Sequence, residues 1–182
     1  LLAGSDAQKQ KWLPKIASGE AIGTLALFEG KGNPSPKAIK LQASGGTLSG
    51  VKKPVPDGAI ADFAVVAART GSTGRDSDIS LFLVDLKAGG VEAKSLTNVD
   101  PTRGQAELTF KNAKAEPLGA AGDGWSILTQ VLDRAAVLLA FEQVGGSDRA
   151  DARQPLLLGR SVDRPHAQEE RGLTLDRRVR SE

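Results

Sequence analysis

Few side chains in this sequence could carry reactive chemistry. There is no cysteine, which excludes a thiolate nucleophile, a disulfide scaffold and a thiolate metal site. The single histidine, His166, lies in a stretch dense in Arg, Asp and Glu. It has no partner for a metal cluster and reads as a solvated imidazole. Glu142 falls on a helical pattern whose surroundings look like ordinary packing. No catalytic residue is assigned from these side chains. Two bends remain. One is Gly30-Lys31-Gly32-Asn33-Pro34-Ser35-Pro36, which follows an apolar strand and by itself reads as a surface turn. The other runs from Pro54 to Gly58, where two prolines lack the N–H a ladder needs and Asp57-Gly58 is turn chemistry.

The elements around those bends follow from patterning. Of 182 residues, 40% are hydrophobic and 25% charged, ordinary values for a globular protein. The net charge of +2 gives no argument for a nucleic-acid partner. Gly4 to Pro14 reads as a short helix capped by Ser5 or Asp6 and limited by Pro14. Ala21 to Phe28 reads as a strand. Ile39 to Gln42 and Gly46 to Val51 read as a hairpin across Ser44-Gly45-Gly46. Ala61 to Arg69 is a short apolar run suited to a buried strand. Ser80 to Asp85 and the alternating Gln105 to Phe110 are further strands. From Trp125, the residues Ile127, Leu128, Val131, Leu132, Ala135, Leu138, Leu139 and Val144 fall at helical spacing, with Asp123 as N-cap. No single apolar run approaches the ~20 residues of a membrane helix, and no signal peptide is visible. A cytoplasmic location and no membrane span are expected.

The stretch Leu48 to Thr70 carries a resemblance. Ser49, Gly50, Lys52, Gly58, Ala61, Asp62, Val65, Ala67, Arg69 and Thr70 match a Ser/Thr-Gly-x-Lys strand, a bend and an Ala-Asp-x-x-x-Val-x-Ala-Arg strand. This is similar to the middle β-domain of the acyl-CoA dehydrogenases. The resemblance covers roughly the first 150 residues. It includes Gln8, Lys9, Lys11, Trp12, Leu13, Pro14, Ala17, Ser18, Gly19 and Glu20 before the β-domain. It also takes in Phe82-Leu83-Val84-Asp85, Glu116-Pro117-Leu118-Gly119 and Gly145-Gly146-Ser147-Asp148-Arg149-Ala150.

The resemblance implies an α+β fold: a mainly antiparallel β-barrel or sandwich middle domain, flanked by a short N-terminal helix and a long helix that begins a truncated helical bundle. The expected divisions are the end of an N-terminal helical domain at 1–20, the β-domain at 21–119, the first bundle helix at 120–150 and a divergent, disordered or weakly helical tail at 151–182. It also implies FAD, held by residues at the two bends: Leu25, Leu27 and Phe28 on one, Pro54, Val55 and Pro56 on the other. Backbone donors suit a flavin, whose edge presents N and O acceptors in one plane. Ser35 is the implied substrate-side residue. The implied partners are an acyl-CoA thioester, an electron-transfer flavoprotein as acceptor, and further subunits of a homo- or hetero-oligomer in the full-length family.

The sequence departs from the family at both bends. Glu29 is kept, but Phe28 stands where the family has Thr, Gly30 where it has Pro, and the Gly-Ser-Asp signature is absent. Pro54-Val55-Pro56 replaces an aromatic-Ile-Thr. The family's base is a Glu deep in the bundle, or in some members one early in its first helix, near Ala135 here; no carboxylate is assigned to either. After Ala150 the family's Phe-Gly-Arg and Gln-Ala-x-x-His motifs do not appear in register. One set of codons for Arg160-Ser161-Val162-Asp163-Arg164 reads Phe-Gly-Arg-Ser in a shifted frame, so a frameshift is one expected origin of the tail, and the gene sequence decides it. With its opening at Leu1-Leu2 and no Met, the chain reads as a fragment of a longer flavin-dependent dehydrogenase. The alternative is a non-catalytic subunit or scaffold that partners a catalytic relative. A β-barrel binding module unrelated to flavin is the blandest option.

Overall fold

A computed structural model of the chain describes residues 1–100 and 102–158, with side chains described through residue 150. The chain divides into two units, Leu1–Arg134 and Ala135–Glu182. The first begins with helix α1, Asp6–Ser18. Its N-cap is Ser5, whose hydroxyl accepts from the Gln8 N–H while Gln8 Oε1 accepts from the Ser5 N–H. Pro14 does not end this helix. It lies inside it, and the turn beyond is closed by Gly19, left-handed at φ 76°, whose N–H reaches the Ile16 carbonyl.

Eight strands follow: β1 Gly23–Ala26, β2 Gln42–Ser44, β3 Thr47–Pro56, β4 Phe63–Arg69, β5 Ile79–Asp85, β6 Val91–Leu96, β7 Gln105–Lys114 and β8 Glu116–Leu118. The sheet order is β6-β7-β3-β2-β4-β5-β8, with β1 paired to β4. The pairing is mainly antiparallel, as expected; β1 runs parallel to β4, and β2 meets it in parallel at Gln42–Arg69. The hairpin from β2 to β3 turns on Gly45 and Gly46, at φ 56° and 77°. That is the left-handed geometry a two-residue turn needs, and glycine adopts it without steric cost.

Strand β4 explains its own composition. Ala64, Val66 and Ala68 face one core with Leu48, Val55, Val84, Leu108 and Phe110. Ala67, with Val65 beside it, packs on the opposite face with Leu27, Ile39, Ile79, Leu81 and Leu128. Phe63 stacks on Trp12 of α1, ring centroids 4.3 Å apart. A strand covered on both faces has no polar side to alternate. Strand β7 has one covered face: Ala106, Leu108 and Phe110 are buried and the residues between them are less so.

The bend expected from Pro54 to Gly58 begins later than the sequence suggests. Both prolines lie inside β3, which reaches Pro56. The β3–β7 register shifts between Lys52 and Val55, so the ladder absorbs the missing N–H groups in an irregularity. The turn itself is Asp57 to Ile60, closed by the Ile60 and Ala61 N–H groups on the Asp57 carbonyl.

Helix α2, Gly124–Leu158, gives its first turns to the first unit. There a Cβ on Gly124 would come within 2.7 Å of the Ile79 carbonyl oxygen, so only glycine lets the helix start this close to β5. The rest of the helix belongs to the second unit, where Leu138, Leu139 and Val144 of the spaced apolar set are more than half exposed, as are Val137 and Phe141. The helix is continuous through Leu158, eight residues past the expected boundary; the remainder of the expected tail, with His166 and the Arg160–Arg164 stretch, lies outside the described residues. By length and composition alone, Gly124–Ala150 is long and apolar enough to cross a membrane, with a mean hydropathy of 1.2. Reading apolar runs one at a time does not register this, because Asp133, Arg134 and Glu142 interrupt each run.

Candidate functional site

The two expected corners are neighbours. Beyond β1 the chain continues alongside β3: the Lys53 N–H donates to the Phe28 carbonyl at 2.7 Å, and the Gly30 N–H donates to the Lys53 carbonyl at 2.7 Å. Glu29 and Lys53 form the bridge between them. Further back, the Thr24 hydroxyl donates to the Pro56 carbonyl at 2.5 Å. Residues separated by more than twenty positions in sequence are therefore stitched into one ledge. A cleft of about 200 Å³, open to solvent, lies on its Leu27 side and is lined by Leu27, Phe28, Gly30, Asn33, Ile39 and Lys40, among others.

The expected site residues divide by what they can offer. Leu27 and Val55 bury their side chains in two different cores, so only their backbone could face a ligand. Leu25 and Phe28 are half-buried, packed on the Leu27 side. Pro54 and Pro56 are exposed and have no N–H to donate. Ser35 is occupied locally: its hydroxyl accepts from the Ala38 N–H at 3.3 Å and caps the short helix Pro36–Ala38. Ala135 is half-buried, and the nearest carboxylate in sequence, Asp133, is exposed.

The ledge is held by charged residues that the sequence motif contained without showing their use. Lys52 has no exposed side-chain surface. Its ammonium donates to Glu29 Oε1 at 2.7 Å and to the Leu27 carbonyl at 3.2 Å. Burial is the largest influence on it and holds it below the usual lysine range, against the opposing pull of Glu29. Glu29 in turn accepts from the Lys40 N–H at 2.8 Å and the Leu41 N–H at 3.0 Å. One buried pair thus gathers β3, the segment after β1 and the segment before β2. The signal was available: Lys52 lies two and four residues past Gly50 and Leu48, on the inward face of β3, where a cation needs a partner. Gly50 itself sits at φ 139° with its Cα close to Leu41; a Cβ would be 3.1 Å from Leu41 Cγ.

Arg69, which ends the second motif, does similar work at Ile39, a residue of the cleft wall. Its guanidinium donates to the Ile39 carbonyl at 3.0 Å, to the Pro36 carbonyl and to Asp78 Oδ2 at 2.9 Å. Asp62 fixes the start of β1 by accepting from the Ile22 N–H at 2.8 Å. These motif residues therefore hold neighbouring backbone in place. Desolvation pushes the Asp78 carboxyl up, but bonds from the Thr73 hydroxyl and the Gly74 and Arg75 N–H groups, with the Arg69 charge, outweigh it and hold Asp78 below the usual carboxylate range. A carboxyl lowered on folding adds stability above its unfolded value, about 3.9, and loses it as pH falls through the folded value. Asp78→Asn is therefore expected to be less stable than the parent at neutral pH. The two should converge as pH falls through the folded value of Asp78 in chemical denaturation run across a pH series.

The donor set fits a flat heteroaromatic ring on one side of the ledge only. The Leu27–Gly30 segment is braced and lies beside an open cleft; its Leu27 and Phe28 carbonyls and its Gly30 N–H are already paired, so the Phe28 and Glu29 N–H groups are the donors it can offer. The Pro54–Pro56 side gives apolar surface and at most one N–H, that of Val55.

Comparison with known proteins agrees with this geometry. Residues 31–113 match the family model described as acyl-CoA dehydrogenase, middle domain. The chain is 31% identical over 151 residues to a mitochondrial 2-methylacyl-CoA dehydrogenase of Solanum tuberosum, covering 78% of this chain and 37% of that protein. It is 30% identical over 164 residues to the mitochondrial very long-chain specific acyl-CoA dehydrogenase of Rattus norvegicus, covering 80% of this chain and 25% of the relative. Among solved structures, an acyl-CoA dehydrogenase from Geobacillus kaustophilus superposes with a TM-score of 0.64 at 30% identity, over 70% of this chain and 37% of the other. Butyryl-CoA dehydrogenase from Megasphaera elsdenii gives 0.66 at 25% identity, over 72% and 37%. The chain thus spans little more than a third of the length of these relatives, or less. These matches show that the chain carries the middle β-domain of the acyl-CoA dehydrogenase family.

Proposed function

We propose that this chain is the flavin-facing part of an acyl-CoA dehydrogenase and that it holds FAD against the ledge formed by Leu27–Gly30 and Lys53–Pro56. The observation that carries the reading is the direct stitching of the two corners, Phe28 to Lys53 and Lys53 to Gly30. Bound FAD would supply the hydride acceptor for α,β-desaturation of an acyl-CoA thioester. The chain's own part is to bind and orient: the rim backbone meets the ring edge, and the Leu27, Phe28 and Ile39 wall excludes water. Alone it has no desaturase activity in this reading, because no carboxylate stands at the position near Ala135. The full-length protein, on the same proposal, acts in fatty-acid metabolism in the cytoplasm and passes electrons to an electron-transfer flavoprotein. It assembles there as an oligomer through its helical bundle.

Titration with FAD, followed by flavin fluorescence, tests the proposal. Saturable one-to-one quenching is expected, with no bleaching of the flavin absorbance when an acyl-CoA is added; an absence of binding counts against it. The second reading, a non-catalytic subunit beside a catalytic relative, is favoured by Pro54 and Pro56, which removed two backbone donors from one corner. It predicts no quenching by FAD and co-purification with the catalytic relative.

A further inference from the structure

Lys52 is the most deeply buried charge among the described residues, and nothing in the desaturation chemistry uses it. Its two contacts are informative. One is the carboxylate of Glu29; the other is the Leu27 main-chain carbonyl. The peptide between Leu27 and Phe28 is planar and trans, so its C=O and N–H point in opposite directions. An ammonium holding that carbonyl therefore sets the direction of the Phe28 N–H, which points away from the buried pair. The next carbonyl, that of Phe28, is held separately by the Lys53 N–H at 2.7 Å. Two successive peptide units are thus fixed by two successive residues of β3, one through a side chain and one through the backbone. Glu29 completes the arrangement by tying the same ammonium to the Lys40 and Leu41 N–H groups across the cleft.

We propose that Lys52 is a positioning residue for the cofactor: by gripping the Leu27 carbonyl it aims the Phe28 N–H at the flavin edge, replacing by backbone orientation the hydroxyl contact that Phe28 in place of Thr has removed. This rests on the FAD-binding reading above. A buried ion pair exchanged as a unit for neutral groups often leaves stability nearly unchanged, whereas loss of one partner does not. The pair can therefore be removed without removing the fold. In the double variant Lys52→Met/Glu29→Gln, the Gln side-chain oxygen can still accept from Lys40 or Leu41, but nothing holds the Leu27 carbonyl.

The test is FAD titration of the full chain by fluorescence quenching, with a melting curve for each protein. The double variant is expected to melt near the parent and to bind FAD roughly tenfold more weakly, the loss of about one hydrogen bond. A merely structural role would move the melting curve and leave affinity alone. Parental affinity in a folded double variant overturns the inference while leaving the FAD reading intact. If the parent itself does not bind FAD, both fall. Should the double variant fail to fold, the Phe28 amide proton of the parent answers instead: a saturable shift of its resonance on FAD addition supports the inference, and an unmoved Phe28 resonance at saturating FAD overturns it.

Discussion

Lys52→Met is expected to cost about 3–5 kcal/mol of stability, the largest single-residue effect we anticipate, because it strands the Glu29 carboxylate without its cation. Met follows the same unbranched path and is one heavy atom shorter than Lys, so lost packing contributes little. Glu29 has only 12% of its side chain exposed and cannot turn to water without releasing the Lys40 and Leu41 N–H groups. Those bonds hold the wall of the cleft, so the damage should be local at first. Hydrogen exchange is expected to accelerate at residues 27–30 and 38–41 before the β4–β5 ladder, where Phe63–Arg69 pairs with Ile79–Asp85. Equilibrium denaturation gives the magnitude. A loss below 1 kcal/mol would show that the pair is dispensable.

The second large effect concerns the cofactor. Phe28→Thr/Pro56→Thr returns a hydroxyl to each corner and a backbone donor to position 56. We expect FAD affinity to rise by roughly 100-fold, about tenfold for each recovered contact. Phe28 is half-buried against the Leu27 cluster, so the substitution also gives up apolar contact and should lower the melting temperature. Tighter binding with lower stability is the signature to look for. Unchanged affinity would mean that the ledge is not where the ring lies. Isothermal titration of parent and variant measures it.

The fold was largely legible because its signals are local. Gly45-Gly46 marks a tight hairpin turn, β7 alternates, and the unbroken apolar run in β4 announces a strand covered twice. The proline signals mislead. Pro14 predicts the stop of a helix that Gly19 ends, and Pro54 and Pro56 predict a bend in a chain that stays in β3 by shifting its register. In each case tertiary contacts outweighed a local preference. The site was less legible than the fold. Which residues touch Leu27 depends on how β3 lies against the segment after β1, and no periodicity reports that. In the sequence Lys52 and Glu29 are only motif letters; their pairing depends on the register of β3 against the segment after β1. Ser35, implied by the resemblance as a substrate contact at a spacing one residue off, caps three residues of helix.

Amide chemical-shift mapping of the labelled chain during FAD titration tests the central claim most directly. The account predicts saturable shifts concentrated at Leu27, Phe28, Glu29 and Gly30, with Lys53 and Val55 following across the Phe28–Lys53 bond. Residues of β6 and of helix α1 should stay still. Shifts spread evenly over the surface, or centred away from the Phe28–Lys53 junction, would contradict it.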